Sequence, residues 1–506
     1  MAVARTLAVA LHGVDGSIVE IEADLANGLP AFTIIGLPDT ALGEAKDRVR
    51  SAATNSGCDL PARKVTVNLS PASLPKHGSG FDLGIAVAAL ATTGVVSAES
   101  IAAVVHLGEL SLDGRLRPVA GVLPAVLAAR RAGARAVVVP SGNAAEAGLV
   151  PGIRVIGSPS LRDVLIGHGA ALDPVPVEAL AAPEAGSAPS EGGDLADVVG
   201  HPEAVEALQV AAAGGHHMLM LGPPGAGKTL LASRLPGLLP DLEPDAAVEV
   251  SSIRSLAGLP LGSSLVTRPP LEAPHHSATM ASLIGGGSGL VRPGAISRAA
   301  HGVLFLDEAP EFAGAVLDAL RQPLETGEIT IHRARTVARF PARFQLVLAA
   351  NPCPCGHGGG DECTCTPMMR RRYLGRLSGP LLDRIDLHLT VRRVGVAQMT
   401  EGAAGSLTTA QARARVLEAR VRGRERWGDQ GWSLTAHVPG PALRSPRWRL
   451  AAADRAALDR ALERGALTMR GYDRVLRVAW TIADLDGADR PSADHLGRAL
   501  YLRKGI

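Results

Sequence analysis

The sequence predicts a multidomain α/β chain closed by a helical segment, and three observations carry the prediction. Apolar runs of strand character alternate with helix-like stretches over residues 1–168 and again over 195–394. Between them Ala170 to Asp194 is rich in Pro, Ala, Gly and Ser and has no aromatic or basic residue, which marks residues 169–194 as a flexible linker. Over residues 395–506 no convincing strand occurs and the periodicity is helical.

Composition bounds the alternatives. A chain of 506 residues exceeds what one core can serve. With 46% hydrophobic but only 3% aromatic residues, its cores must be built from Ala, Val and Leu. The net charge of +2 gives no global reason to invoke nucleic acid or membrane, so any basic patch has to be local. The uncharged, apolar segment Leu83 to Ala98 is broken by Gly and Thr and falls short of the roughly 20 residues of a membrane span. The early run TLAVAL is too short for a signal-peptide core, so a cytoplasmic protein is expected. Five cysteines, four of them clustered, do not resemble a secreted disulfide framework. Only Lys46, Lys64, Lys76, Lys228 and Lys504 are lysines among 51 basic residues, so a retained Lys points to chemistry that a guanidinium cannot do.

In the first segment SIVEIEA, AFTIIGL, KVTVNLS and ARAVVVP read as strands, and DTALGEAKDRVRSAATNSG, GFDLGIAVAALATTG and PAVLAARRAG as helices. In the second, the strand-like HHMLMLG runs into GPPGAGKT and then the helical LLASRL. This is a full G-x-x-x-x-G-K-[ST] in the context that the motif requires. Gly222, Pro223, Pro224, Gly225, Ala226, Gly227, Lys228 and Thr229 would wrap backbone N–H groups around the phosphates of ATP at a helix N-terminus. Lys228 supplies charge to the outer phosphates and Thr229 a hydroxyl to Mg2+.

Further on, GVLFLDEAPEF places Asp307 and Glu308 at the C-terminal end of a strand, where a Mg2+ carboxylate and a water-polarising base are wanted. FQLVLAAN ends in Asn351, whose amide can orient an attacking water. In SGPLLDRIDLHL, Arg384 stands where it could meet a neighbouring subunit's nucleotide, and in LTMRGYDRVLRVA, Arg470 opens a helix. Val475, Val478, Ala479 and Ile482 make that helix amphipathic, and Ser492 is a good N-cap for a last one.

Two features resist assignment to the nucleotide. NPCPCGHGGGDECTC holds Cys353, Cys355, Cys363 and Cys365 in a C-x-C-x7-C-x-C spacing. Four thiolates fit tetrahedral Zn2+, with His357 as a competing ligand and reduced thiols or disulfides as the alternatives. EITIH and VARF suggest a hairpin displaying His332, Arg333 and Arg335 at its tip, in the plainest reading an Arg-capped solvated hairpin. RRRYLGR and ARARVLEARVRGRERW are further basic tracts, which read on their own as solvated faces.

The ordered set GPPGAGKT, LFLDE, AAN, LLDRID and LTMRGYDR resembles AAA+ ATPases of the magnesium-chelatase branch, and APHHSATMASLIGGG, RPGAISRAAHGVLFLDEAPEF and ANPCPCG resemble the ComM/YifB family, over essentially the whole chain. The resemblance implies an N-terminal Lon-protease-like α+β domain, a central AAA+ α/β domain and a C-terminal helical lid. Arg384 would be the arginine finger, Arg470 the sensor-2 arginine and the hairpin a pore loop whose His332, Arg333 and Arg335 touch the phosphates of DNA, with the further basic tracts open to the same role. It further implies a homo-oligomer, a hexamer, acting on single-stranded or branched DNA as a branch-migration helicase in recombination of incoming DNA. A chelatase-type remodelling chaperone and an ATP-dependent protease are the alternatives. LPKHGSGFDLGIAVA puts Gly80 in the place of the Lon nucleophile, with Ser79 one position early, and Leu123 falls where the activating Lys belongs, so peptidase activity is not expected. Two departures, His201 where the family often has Gln and Trp480 where it often has Arg, bear on adenine packing and the lid contact.

Overall fold

The computed structural model describes residues 3–36, 40–180, 193–287, 291–332, 337–357, 362–395 and 407–503. Its N-terminal part is built on a seven-stranded mixed sheet in the order Ala31–Ile35, Lys64–Ser70, Asp15–Ala26, Val3–His12, Val104–His106, Ala136–Pro140, Arg154–Ser158. The period-2 alternation of side chains sends Ala8 and Ala10 to one face and Val9 to the other, so helices must cover both. Ala45–Asn55 and the wholly buried Asp82–Ala91 lie on the first face, and Val122–Arg131 on the second.

The central part is a five-stranded, all-parallel sheet in the order Leu271–Glu272, Val303–Leu306, Gln345–Ala350, Met218–Leu221, Leu387–Thr390. Every residue of VLFL and QLVLAA is buried, as expected where helices cover both faces of a parallel sheet. The strand Met218–Leu221 sits between Gln345–Ala350 and Leu387–Thr390. Its C-terminal end is therefore flanked by the ends of the strands that carry Asn351 and Val391.

Four longer helices follow: Thr409–Trp427, Ala452–Glu463, Met469–Leu485 and Ala493–Tyr501. Thr408 and Gln411 cap the first reciprocally, the Gln411 N–H donating to Thr408 Oγ1 at 3.3 Å and the Thr408 N–H to Gln411 Oε1 at 3.0 Å. Ser492 caps the last, its N–H donating to His495 Nδ1 at 2.8 Å. Trp427, Trp448 and Trp480 pack ring against ring at centroid separations of 4.7 to 5.9 Å and bury the centre of this helical group. Three arginines of the tract 412–427 dock it on the central part: Arg413 donates to the Leu239 carbonyl, Arg415 to Gln209 and Arg420 twice to the Ala212 carbonyl. The tract is thus docked on one side, while Arg424 stays exposed on the other. Among the described residues no helix is long and apolar enough to cross a membrane.

Candidate nucleotide-binding site

Where the strand Met218–Leu221 ends, Gly222 turns beneath Val391; a Cβ there would stand 2.1 Å from the Val391 carbonyl oxygen. Gly227, at φ +87°, makes the left-handed step into the helix Lys228–Leu238. The lysine side chain curls back, and Nζ donates to the carbonyls of Gly222 at 2.6 Å and Pro223 at 3.0 Å and to Asn351 Oδ1 at 3.0 Å. Burial lowers the Lys228 pKa, while the nearby Asp307 and Glu308 carboxylates act in the opposite sense. The ammonium thus sits at the mouth of the loop on carbonyl acceptors that a phosphate can replace.

Thr229 Oγ1 donates to Asp307 Oδ2 at 2.7 Å, which joins the two residues read as Mg2+ ligands. The pair is a hydroxyl and a carboxylate, the oxygen donors that Mg2+ takes in phosphate sites, so the residues present fit the ion. Glu308 is held at φ +50°, one of two non-glycine residues with positive φ among those described. Its carboxylate meets His276 Nδ1 at 3.1 Å. The sequence by itself gives His276 no role; its only signal is its place in APHHSATM, since the contact spans 32 residues, from 276 to 308.

Arg384 and Arg470 lie elsewhere. The strand Leu387–Thr390 runs parallel to Met218–Leu221, with Leu387 opposite Met218 and Thr390 opposite Leu221. Arg384 precedes that strand and Gly222 follows its neighbour, so the two are separated along the sheet by at least a strand length, ~13 Å. Arg470 pairs with Asp383 at 3.8 Å and Arg384 with Glu325, and both arginines line a cleft of about 1650 Å3 at the far end of the sheet. Within one chain Lys228, Thr229, Asp307, Glu308 and Asn351 come together; Arg384 and Arg470 form a second group.

The four cysteine sulfurs lie within 4.8 Å of one another, while His357 Nδ1 pairs with Glu362 at 3.1 Å. The hairpin is formed, with His332 opposite Val337 and exposed, and its tip, with Arg333 and Arg335, lies outside the described residues. Of the basic tract RRRYLGR, Arg371 and Arg372 are exposed, Tyr373 is buried and Arg376 donates to the Pro310 carbonyl behind the acidic turn at 2.9 Å. His201 is hydrogen-bonded to the backbone of Ala226 and so touches the glycine-rich loop, whereas Trp480 is fully buried in the core of the helical group.

A glycine-cradled lysine at the C-terminal end of a parallel sheet, with the Thr229–Asp307 pair beside it, defines a P-loop nucleoside triphosphatase. Three family models tile the chain: magnesium chelatase subunit ChlI over residues 194–399, subunit ChlI of Mg-chelatase over 21–143, and the ChlI C-terminal part over 406–503. The Mycobacterium tuberculosis protein Rv2897c is 50% identical over 508 residues, covering 100% of this chain and 99% of its own. Competence protein ComM of Haemophilus influenzae is 43% identical, over 99% of this chain and 98% of its own, and YifB of Escherichia coli 40% identical, over 97% and 95%. The chain belongs to the ComM/YifB family of magnesium-chelatase-like AAA+ ATPases, which use ATP and Mg2+.

Proposed function

We propose that the chain is an ATP-driven DNA motor, a homo-oligomeric ring of six subunits that promotes branch migration in homologous recombination of incoming DNA. The observation that carries the ring is the division of the arginines from the phosphate loop. An Arg384 a strand length from its own Lys228 is better placed for a neighbour's nucleotide than for its own, which supports a site shared by two chains. In this reading Asp307 and Thr229 hold Mg2+, which supplies charge neutralisation to the phosphates. Lys228 binds the outer phosphates, Glu308 takes the proton of the attacking water and Asn351 orients it. Arg384 acts as finger and Arg470 as sensor 2, both in trans.

DNA as substrate is supported by the hairpin ending at the exposed His332 and by the relative named competence protein ComM. Arg333 and Arg335 would complete the basic tip. The four thiols are read as a structural Zn2+ site. Residues 1–168 are read as a Lon-protease-like domain kept for assembly, residues 169–194 as linker, 195–394 as the AAA+ core and 395–506 as the lid. A Lon protease of Mycolicibacterium smegmatis is 31% identical over 150 residues, 28% of this chain. The buried Lys76 Nζ donates to the carbonyls of Gly36 and Leu69 at 3.0 and 2.9 Å, and the Ser79 hydroxyl donates to Glu109. Their separate partners favour no Ser-Lys pair. A chelatase-type remodelling role is the second reading, favoured by the 27% identity to the magnesium-chelatase 38 kDa subunit of Cereibacter sphaeroides, over 55% of this chain.

ATP hydrolysis with and without branched or single-stranded DNA, with Lys228→Ala as the dead control, tests the proposal. Several-fold stimulation and salt-sensitive binding are expected. Hydrolysis indifferent to DNA, with no salt-sensitive binding, rejects DNA as the substrate.

A further inference from the structure

We propose that the metal bound by Cys353, Cys355, Cys363 and Cys365 is a fastening of the phosphate loop, so that nucleotide affinity depends on metal occupancy. The inference rests on the ATPase reading of the site and adds a control to it. Its first support is the sulfur geometry. Cys353 Sγ lies 3.3 Å from Cys355 Sγ and 3.8 Å from Cys363 Sγ, and Cys355 Sγ is 3.5 Å from Cys363 Sγ. All four sulfurs stay within 4.8 Å of one another. A tetrahedral Zn2+ with thiolates at about 2.3 Å sets its sulfurs about 3.8 Å apart. A disulfide instead draws two sulfurs to about 2.05 Å and turns them from the rest. Cys353 and Cys365 are buried and Cys355 and Cys363 half-buried, and four protein donors fill a tetrahedral shell with no position left for a substrate.

The second support is what the cluster is built against. Between the first two cysteines and His357 the chain turns through Gly356, at φ +86°, whose N–H donates to the Cys353 carbonyl at 3.0 Å. A Cβ at Gly356 would stand 2.6 Å from Cδ and 2.7 Å from Cγ of Pro224, so the turn lies flat on the ring at the crest of GPPGAGKT. Pro224 is gripped from another side too, its carbonyl accepting from Arg393 Nε at 3.4 Å. The segment entering the cluster is also tied to the loop. The Gly222 N–H donates to the Ala350 carbonyl at 3.1 Å and Lys228 Nζ to Asn351, two residues before Cys353. The metal would thus close a ring whose near edge supports both ends of the phosphate loop, with Pro224 at the crest and Lys228 at the helix. With the metal gone, the hydrogen bond from Gly356 to Cys353 is left to hold the turn under Pro224, and the loop must be ordered by the nucleotide itself.

The test uses the full-length protein. Zinc is counted in the protein as purified under reducing conditions, then removed with a thiol-directed mercurial followed by a chelator. A fluorescent ATP analogue is titrated against metal-loaded, metal-free and Zn2+-restored protein. One Zn2+ per chain, with affinity falling at least ~10-fold on removal and returning with Zn2+ alone, is expected; that fall is the equivalent of ordering a single backbone residue. Cys353→Ser with Cys363→Ser should lose both the metal and the affinity. Gly356→Ala keeps every thiol but lifts the turn from Pro224, and should keep one Zn2+ while losing affinity. If metal removal unfolds the chain, that variant carries the decision. No zinc taken up by the reduced protein, a disulfide among the four cysteines, or unchanged nucleotide affinity in metal-free protein or in Gly356→Ala overturns the inference. Metal-loaded wild type that binds no nucleotide rejects the ATPase reading and the coupling together, while the zinc count still decides, on its own, whether the four thiols hold a metal.

Discussion

Gly13 and Arg339 join the N-terminal sheet to the hairpin that follows the acidic turn. The two backbones form an isolated parallel bridge, and a Cβ on Gly13, at φ +67°, would stand 2.2 Å from the Arg339 carbonyl oxygen. Around this contact Leu11 and Val14 pack with Ile331, Ala338 and Phe340. The middle of the hairpin, where Arg339 pairs with Thr330, is therefore braced by residues 11–14. Gly13→Val should free the hairpin at a local cost of about 1–3 kcal/mol. Binding of single-stranded DNA, read by fluorescence anisotropy, is expected to weaken while DNA-free ATP hydrolysis stays within about twofold, since ~0.4 kcal/mol is all that such a change represents. Equal DNA affinity in variant and wild type would separate the hairpin from its proposed task.

Glu308 and His276 provide a sharper test of the hydrolytic assignment. Glu308→Gln keeps the shape and removes the base, so kcat should fall about 10²–10⁴-fold with nucleotide binding kept. His276 contacts the Glu308 carboxylate and positions it. His276→Ala is expected to lower kcat by about tenfold at unchanged KM, the mark of an interaction that matters after binding. A change in KM alone would show that His276 serves substrate binding instead.

Arg384 on one chain and Lys228 on the next can be tested by mixing. Arg384→Ala and Lys228→Ala proteins should each be inactive alone. In mixed rings, the Lys228→Ala subunits retain Arg384 and the Arg384→Ala subunits retain Lys228, so some interfaces are whole. Steady-state ATP hydrolysis should rise above the sum of the separate variants, toward about a quarter of wild type for equal random mixing of two chain types across a two-chain site. Additive rates would mean that each site takes both residues from one chain.

The strands that carry the site were legible because both faces of a parallel sheet are buried, which leaves unbroken apolar runs such as VLFL and QLVLAA ending in Asp307 and Asn351. The strand Val3–His12 was not. Arg5 and Thr6 interrupt its hydrophobic pattern, and the hydroxyl of the buried Thr6 finds its partners about 100 residues away, in the carbonyls of Ile101 and Val104 at 3.1 Å and in His106 Nδ1 at 2.7 Å. Long-range partners hid the rest as well. The arginines of 412–427 read as a basic face because their acceptors, the carbonyls of Ala212 and Leu239, carry no sequence signal. Arg470 read correctly as the opening of a helix, Met469–Leu485, but its place beside Asp383 depends on how the lid crosses the sheet.

Partly buried histidines in and beside the central sheet make stability fall on the acid side of neutrality. Burial pushes His217 and His388 down to about 4, from an ordinary value of 6.5. His217 Nδ1 accepts the Leu346 N–H at 3.0 Å, which requires that nitrogen to be unprotonated. Around it stand Asp386, Arg474, His437 and His216, and the charge on Arg474 further resists a second cation. The unfolded chain takes up protons on these rings below pH 6.5 and the folded one does not until about pH 4. Stability is therefore fully present above pH 6.5 and is lost as pH falls from 6.5 to 4, by on the order of 3 kcal/mol per histidine at the end of that range. Asp386 adds to the loss at lower pH. Burial raises its pKa, but Arg474 and His216 outweigh that and hold it below the usual carboxylate range. Urea unfolding at a series of pH values should show the decline. In His217→Asn, whose Oδ1 can still accept the Leu346 N–H, the slope between pH 6.5 and 4 should shrink by about one proton per chain. An unchanged slope in that variant would mean that His217 is already charged in the folded protein.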